Sequence, residues 1–292
     1  MTMRKVSLCL TIVSVACLLA LNSANAALIA RYSLDSESGG TVPADFGGAS
    51  YDATIVGNAT ISSVQSRFGG ASAFFDDTIG SSIEAPRSPG ETEDWSMSAW
   101  YWVDLDQGEG GFDGNWMSSR VDATSIGDAS TSILALWYVH NSDNKLTFGS
   151  RVTPDDGTTL NWATEIVPIA EETTTHHREW VNVITLTDHD PVADTTNSKN
   201  YFNGVQVGVP AGVTQPGGPV QFAAGLPNQL IIGNAPSLTQ EWKGYIDEVA
   251  YWDHLLLPGE IAALQTGVAP EPSTLALMAI GLLAYACRMR RR

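Results

Sequence analysis

Residues 95–103 read Trp-Ser-Met-Ser-Ala-Trp-Tyr-Trp-Val, nine residues without a charge, a glycine or a proline. Aromatic and apolar side chains at this density favour a β-strand. Successive side chains of a strand point to opposite faces of its sheet, so Trp100 and Trp102 share one face and Tyr101 lies on the other. Both faces carry aromatic residues, and one set therefore looks away from the core.

Short runs of the same kind recur along the chain and are rich in Val, Ile, Thr and aromatic residues. Clusters of Gly, Pro, Asn and Asp separate them, as is typical of a β-sandwich. Further strands are predicted at 29–34, 71–75, 81–84, 132–138, 145–151, 180–187, 199–202, 230–232 and 245–252. Asn203 and Gly204 predict a type I′ hairpin turn, 258–265 a short helix, and 108–130 an enlarged loop.

The first 26 residues read as a signal peptide. Arg4 and Lys5 form a basic start, residues 6–21 form an apolar run, and Ala24 and Ala26 place small residues at the −3 and −1 positions of a cleavage site. We predict export, with cleavage after Ala26.

Near the other end of the chain, Pro270, Glu271 and Pro272 precede an uncharged run at 275–287 and four terminal arginines. This order resembles the PEP-CTERM sorting signal of Gram-negative bacteria. The resemblance implies an exosortase-type enzyme that cleaves near the triplet, after which the protein reaches the cell surface or the extracellular matrix.

Residues 275–292 are predicted as a transmembrane sorting helix with a basic tail. The uncharged stretch from 272 to 287 spans only about 24 Å at ~1.5 Å per residue, short of a bilayer core of roughly 30 Å. The arginines are expected on the cytoplasmic side, which anchors the precursor in the inner membrane. A plain C-terminal anchor is the alternative.

Between the two ends, residues 27–266 are predicted as one domain and 267–274 as a linker that carries the Pro-Glu-Pro motif. Residues 27–269 contain nine Lys and Arg against 31 Asp and Glu, a formal charge of −22. So acidic a body repels nucleic acid and anionic lipid, and neither is expected as a partner. All three cysteines lie in the ends, so the body is expected to hold no disulfide or zinc–thiolate site.

Several short motifs follow one another in an order that resembles the LamG-like jelly-roll domain of the concanavalin A-like lectin/glucanase superfamily. They lie at 29–35, 51–57, 73–77, 95–100, 179–183, 201–204 and 244–249. The resemblance covers nearly all of residues 28–265. It implies an all-β fold, a two-sheet antiparallel jelly-roll sandwich.

Asp247 is the acid that strand alternation singles out. In a regular strand it shares a face with Tyr245, Val249 and Tyr251, and a carboxylate on a partly buried face needs a cation or several hydrogen-bond donors. Two interpretations stay open. One is a bound cation, and the other is a structural acid that pairs with Arg31 or with a loop amide.

The resemblance favours calcium, because many members of the superfamily hold a structural Ca²⁺ through an aspartate of the last strand. It implies Asp247 as a ligand, with Asp35 nearby, and Asp76 and Asp77 as second candidates. Hard oxygen ligands suit Ca²⁺, which an exported chain meets at useful concentrations.

The superfamily also includes retaining glucanases, whose paired carboxylates lie roughly 5–5.5 Å apart on one strand. The nearest match here is Asp104 with Asp106, but this stretch runs directly into Gly110 and Gly111 and is predicted as a loop. We therefore predict that the protein is not an enzyme. A secreted glycoside hydrolase is the alternative.

Aromatic residues are the candidates for ligand contact. Trp102 lies on a strand face, and Trp116 lies in a glycine-flanked loop, whereas Trp100 and Trp180 match core positions of the family. The predicted function is binding or adhesion at the cell surface or in the extracellular polysaccharide matrix, with a carbohydrate or a surface protein as ligand. A purely structural matrix component is a further alternative.

Overall fold

The strand that contains Trp100 and Trp102 lies in the middle of a large antiparallel sheet. The computed structural model describes residues 28–76, 78, 80–85, 94–104, 120–127, 133–142, 145–152, 163–168, 178–193, 195–207, 213–216, 229–234 and 242–267. The chain divides into two compact units, Ile29–Ala269 and a second made of Met1–Leu28 with Pro270–Arg292. Apart from Leu28, the second unit lies outside the described ranges, as do the predicted signal peptide and sorting helix.

The body is built almost entirely of strands. They are β1 Leu28–Tyr32, β2 Thr41–Val42, β3 Ala53–Val56, β4 Thr60–Ser62, β5 Ser72–Asp76, β6 Ser82–Ala85, β7 Trp95–Val103, β8 Arg120–Gly127, β9 Ile133–Ser142, β10 Lys145–Val152, β11 Ala163–Pro168, β12 Val181–Asp190, β13 Thr195–Phe202, β14 Val205–Val207, β15 Val213–Pro216, β16 Gln229–Ile232 and β17 Lys243–Trp252. A 3₁₀ turn at Ala49–Tyr51 and the helix α1, Pro258–Leu264, complete the described elements.

The strands form two antiparallel sheets, which confirms the predicted all-β sandwich. The nine-stranded sheet runs β14-β13-β12-β7-β17-β5-β4, with β1 beside β17 and β15 beside β13. The eight-stranded sheet runs β11-β10-β9-β8-β16-β6-β3-β2.

The predicted turn is confirmed, since Asn203 and Gly204 have φ of 49° and 78° between the paired residues Phe202 and Val205. The enlarged loop predicted at 108–130 is wrong in part, because β8 lies within it.

Strand β7 shows how the two faces of the nine-stranded sheet differ. Its odd-numbered side chains belong to the hydrophobic core between the sheets, together with Phe75, Tyr251 and Trp242. Its even-numbered side chains, Ser96 to Trp102, point to the opposite side, here called the outer face. Burying one large core side chain contributes about 1.5–3 kcal/mol, so this alternation determines which face of β7 packs inward.

Strand β17 breaks the regular alternation at one residue. Glu248 has a left-handed φ of 52°, and the register with β7 shifts between Asp247 and Ala250. This β-bulge turns Val249 and Tyr251 into the core and leaves Asp247 on the outer face. The prediction that Asp247 shares a face with those two residues is therefore wrong, because the extra residue reverses the alternation after it.

Helix α1 and the segments beside it cover part of the outer face. The Ser96 hydroxyl donates to the His254 carbonyl at 2.6 Å and accepts the Leu256 N–H at 3.0 Å. Gln265, just after the helix, donates to the Asn182 side chain at 2.7 Å. Helix α1 and its flanking segments thus cover the outer face around Ser96 and Asn182.

A substitution at Gly233 tests the core packing. Gly233 has φ +85°, and a Cβ there would overlap the Phe75 ring, whereas Gly40 has φ +83° with nothing within 4 Å. The left-handed backbone costs roughly 1–2 kcal/mol for alanine at either position, and overpacking adds about 1–3 kcal/mol at the first. We expect Gly233→Ala to lose about 1–3 kcal/mol more unfolding free energy than Gly40→Ala in chemical denaturation. Equal losses of unfolding free energy in the two variants would show that the Phe75 ring moves aside without destabilising the protein.

Candidate functional site

Four aromatic side chains lie next to one another on the uncovered part of the outer face. Tyr245 is the register partner of Phe74 on one side and of Trp102 on the other, and Trp180 directly precedes β12 beside Trp102. All four are half-buried. We call Phe74, Tyr245, Trp102 and Trp180 the aromatic row.

The row consists of two ring pairs placed side by side. The ring centroids of Phe74 and Tyr245 are 4.9 Å apart, and those of Trp102 and Trp180 are 5.8 Å apart in an edge-on arrangement. Neighbouring strands lie about 4.8 Å apart, so a row across four strands is roughly 14 Å long. This is a shallow apolar floor with length for an extended ligand.

A second row, of charged residues, borders the aromatic row along one side. Asp76 and Lys243 are register partners on β5 and β17, and the Asp104 N–H donates to the Lys243 carbonyl at 2.9 Å. Arg178 then forms an ion pair with Asp104 at 2.6 Å. Burial raises the pKa of Tyr245, and the nearby Asp104 carboxylate acts in the same direction.

Residues 64–71, here called the wall segment, stand along the opposite side of the aromatic row. Phe68 packs edge-on against Trp100, with 5.7 Å between the ring centroids. Trp100 is two residues from Trp102 on the same face of β7, but it is only 4% exposed because the wall segment covers it. The wall therefore ends where the uncovered floor begins.

Two carboxylates hold the wall segment through its backbone. Asp247 accepts the N–H of Arg67 at 2.7 Å and that of Phe68 at 3.3 Å. Asp35 accepts the N–H of Gly70 at 2.6 Å and that of Ala71 at 2.9 Å. Four backbone N–H groups of the wall are thereby satisfied, so the wall is well anchored to the sandwich.

Asp247 is the more deeply placed of the two acids. Its side chain is fully buried, and its second oxygen accepts the Glu248 N–H at 2.9 Å. Burial raises the pKa of Asp247 to about 8, although the three N–H bonds act in the opposite direction. Arg31 does not pair with it but forms an ion pair with Glu248 at 2.7 Å. Of the two interpretations, the geometry supports the acid that binds loop amides.

The donor set around Asp247 and Asp35 does not fit a calcium ion. N–H groups already point at both carboxylates, and a cation needs oxygen ligands in their place. In the described ranges no three His, Cys, Asp or Glu side chains group together as metal ligands. Asp76 lies exposed at the end of β5 and accepts the Thr78 N–H at 3.2 Å, while Asp77 lies outside the described residues. Calcium binding by Asp76 and Asp77 stays a prediction.

A cavity between the wall segment and α1 is too small for a ligand. Its lining includes Phe68, Trp100, Glu248 and Leu264, and its volume is about 10 Å³. That is about the minimum that one water molecule needs. This cavity therefore does not hold a ligand larger than a water molecule.

The structure places the predicted site residues unevenly. Trp102 lies on the floor as expected. Trp100 is buried as predicted, although beneath the wall segment and not between the sheets, whereas the core position predicted for Trp180 is wrong because that residue is half-buried on the outer face. Trp116, the signal cleavage residues Ala24 and Ala26, and the triplet at 270–272 lie outside the described residues. Sequence reasoning missed Phe74, Tyr245 and Arg67 as site residues. Strand alternation could have placed the first two on the outer face, but only the register shows that they are neighbours.

None of the helices in the described ranges is long and apolar enough to cross a membrane. The predicted span at 275–292 lies beyond those ranges.

Two family models match the chain. One, described as the concanavalin A-like lectin/glucanases superfamily, matches residues 76–262, well over half of the 292 residues. The other, described as the PEP-CTERM protein-sorting motif, matches residues 268–292. Both resemblances drawn from the sequence are confirmed. No curated protein matches this chain.

Solved structures with the same fold include toxin domains and an enzyme. The binding domain of botulinum neurotoxin serotype D is 11% identical, with a TM-score of 0.54 over 82% of this chain and 52% of that one. The botulinum neurotoxin type G receptor binding domain is 11% identical, with a TM-score of 0.52 over 82% and 51%. A Trypanosoma rangeli sialidase in complex with the inhibitor DANA is 13% identical, with a TM-score of 0.50 over 82% and 32%. The chain spans about half the length of the toxin domains, and these likenesses show the fold alone.

The raised pKa of Asp247 predicts how stability depends on pH. The folded protein keeps a proton on Asp247 that the unfolded chain releases above its ordinary pKa of 3.8. This contribution is therefore fully present below about pH 4 and is lost as the pH rises to about 8, by up to about 1.4 kcal/mol per pH unit. Asp247→Asn carries no titrating proton, so its unfolding free energy should fall less between pH 5 and pH 9 than that of the wild type.

The control is Asp190→Asn. The N–H groups of Ala193 and Val192 lower the pKa of this exposed carboxylate, so it does not contribute to a fall of stability towards high pH. Denaturant unfolding at pH 5, 7 and 9 compares the three proteins. Equal slopes in the wild type and Asp247→Asn would contradict the assignment of the proton to Asp247.

Proposed function

This chain belongs to the concanavalin A-like lectin/glucanases superfamily, and we propose that it is an exported binding protein that holds carbohydrate on the aromatic row. One observation carries the proposal: two ring pairs form a half-exposed floor beside hydrogen-bonding charged groups. Sugar rings present C–H groups on their faces and hydroxyls on their rims. Aromatic faces carry partial negative charge that suits the C–H groups, and polar neighbours suit the hydroxyls.

The exposed apolar surface favours a carbohydrate over a protein partner. A stable protein interface buries at least about 1,000 Å² and has a contiguous apolar centre. The large hydrophobic residues that are most exposed in the described ranges are Val64, Val192, Val205 and Leu257, which belong to separate segments. Of these four, only Val64, at the start of the wall segment, belongs to a segment that borders the aromatic row.

The PEP-CTERM motif supports a location for the proposed binding. It implies export, a membrane-anchored precursor and processing by an exosortase-type system. We infer that the processed protein acts at the cell surface or in the extracellular polysaccharide matrix. A polysaccharide ligand would be abundant there.

Truncation of the aromatic row tests the proposal directly. Trp102→Ala and Trp180→Ala should each weaken glycan binding at least about tenfold, because loss of an aromatic anchor from a contact site costs more than about 1.4 kcal/mol. Binding of the purified protein to an immobilised panel of neutral and uronic-acid polysaccharides measures the effect. Tyr201→Ala is the matched control, since Tyr201 lies on the outer face through its pairing with Ile184 but away from the row.

The outcomes separate the candidate roles. If both tryptophan variants bind like the wild type, the row is not the binding site. If the wild type binds no polysaccharide of the panel, carbohydrate binding is wrong, and a purely structural matrix role takes its place.

Processing at the motif provides a separate prediction. Replacing Pro270, Glu271 and Pro272 together by alanine should leave the full-size precursor in the membrane fraction, because the processing enzyme no longer recognises the tail. Immunoblotting of membrane and culture fractions measures this, with Thr266→Ala, outside the matched motif, as control. Normal release of the triple variant would show that the triplet is not required.

Glycoside hydrolysis is the second candidate, favoured by two carboxylates that flank β17 on the outer face. Asp76 ends β5 and Asp104 directly follows β7, and two strand spacings of ~4.8 Å place these strands about 9.6 Å apart. The two carboxyl groups of inverting enzymes lie roughly 6.5–9.5 Å apart. An assay of reducing ends released from any bound polysaccharide decides between the two roles. Release that Asp104→Asn abolishes without loss of binding would establish a hydrolase.

A further inference from the structure

Arg67, on the wall segment, carries a charge that no described residue neutralises. Its guanidinium carbon lies 4.2 Å from the centroid of the Trp100 ring and 4.7 Å from that of Phe68. Its Nε is buried without a hydrogen-bond partner. Within the described ranges its guanidinium makes neither an ion pair nor a hydrogen bond. Among the described residues, only aromatic contacts hold the cation.

The other cations near the site have acidic neighbours. Arg31 pairs with Glu248, Arg178 pairs with Asp104, and Lys243 lies opposite Asp76 in the sheet register. In a body with a formal charge of −22, a flexible arginine would readily meet a carboxylate. Arg67 is kept from doing so because its backbone N–H is bound by Asp247 and its side chain is stacked on Trp100.

The position of Arg67 relative to the aromatic row follows from the geometry of β7. Trp100 and Trp102 point to the same face two residues apart, a distance of about 7 Å along the strand. A guanidinium stacked on Trp100 therefore lies at the edge of the floor, about the length of one sugar ring from Trp102. A ligand that lies on Trp102 would bring its substituents within reach of Arg67.

We propose that Arg67 binds a carboxylate of the ligand, so that the site selects polysaccharides that contain uronic acids. The inference rests on the proposed binding of carbohydrate at the aromatic row and names the class of sugar. A planar guanidinium binds a carboxylate through two parallel N–H bonds, and a stacked guanidinium is already oriented for them. Stacking on Trp100 also lowers the conformational entropy that the side chain loses on binding.

The acidic body does not prevent such a contact. At physiological ionic strength charges are screened over about 8 Å, so distant acids act weakly on a carboxylate seated against Arg67. Their summed repulsion disfavours densely charged polyanions, however. The ligand class that satisfies both conditions is a sugar chain with one carboxylate per ring, rather than a sulfated chain.

Methyl esters provide the matched test, because esterification removes the charge of a uronic acid and leaves the sugar ring in place. Isothermal titration calorimetry measures binding of the purified protein to tetragalacturonate, tetramannuronate and the methyl ester of each. We expect the wild type to bind at least one acid about tenfold or more tightly than its ester, as a hydrogen-bonded charge pair contributes about 1.5–3 kcal/mol. Arg67→Gln should reduce this preference for the acid over its ester to about twofold or less, whatever its effect on the affinity for the ester alone.

Two further variants separate the contributions. Trp102→Ala should weaken binding of acid and ester alike, because the floor contacts the ring of either. Arg67→Lys keeps the charge but loses the planar fork, and its preference for the acid should be intermediate. Thermal unfolding verifies that each variant is folded, and if Arg67→Gln is unstable, Arg67→Lys alone carries the comparison.

Each outcome decides one of the two proposals. Equal affinity of the wild type for acid and ester, or a preference that survives Arg67→Gln, overturns the role of Arg67 while carbohydrate binding stands. Binding of neutral glycans alone does the same. Failure to bind any acid, ester or neutral glycan overturns the proposed function itself and this inference with it.

Discussion

The buried carboxyl group of Asp247 is the constraint on which the outer face depends. Its oxygens accept N–H groups from Arg67, Phe68 and Glu248. Each buried N–H left without an acceptor would cost about 1–3 kcal/mol, so this one side chain determines both the path of the wall segment and the shape of the bulge. Without it, neither the cover on Trp100 nor the place of Arg67 would be specified.

The bulge at Glu248 lets a single strand meet two opposed requirements. Up to Asp247, β17 presents Tyr245 to the floor, and after the bulge it presents Val249 and Tyr251 to the core. The left-handed backbone of a non-glycine residue is unfavourable by about 1–2 kcal/mol. The Arg31–Glu248 ion pair and the hydrogen bonds to Asp247 compensate for it. Backbone strain of this kind concentrates near functional sites, and here it lies three residues from Tyr245 of the aromatic row.

The candidate site is the part of the outer face that the rest of the chain leaves uncovered. Along β7, the segment before α1 covers Ser96, and the wall segment covers Trp100. Trp102 stays half-buried. The same strand therefore contributes structural contacts at one end and ligand contacts at the other. Tryptophan serves both purposes because its large apolar surface packs well and its ring face also recognises ligands.

The sequence by itself determined most of the longer strands, the Asn203–Gly204 turn, the face of Trp102 and the sorting motif at 268–292, because composition and alternation over a few residues encode all of these. It could not place Trp180 or Asp247. Trp180 joins Trp102 only through the register between β12 and β7, and a bulge at a glutamate carries no local signal. Contacts such as Arg67 to Asp247 join residues 180 positions apart. Only the tertiary structure decided the floor, its wall and the place of Arg67 beside it, because their neighbours come from distant strands.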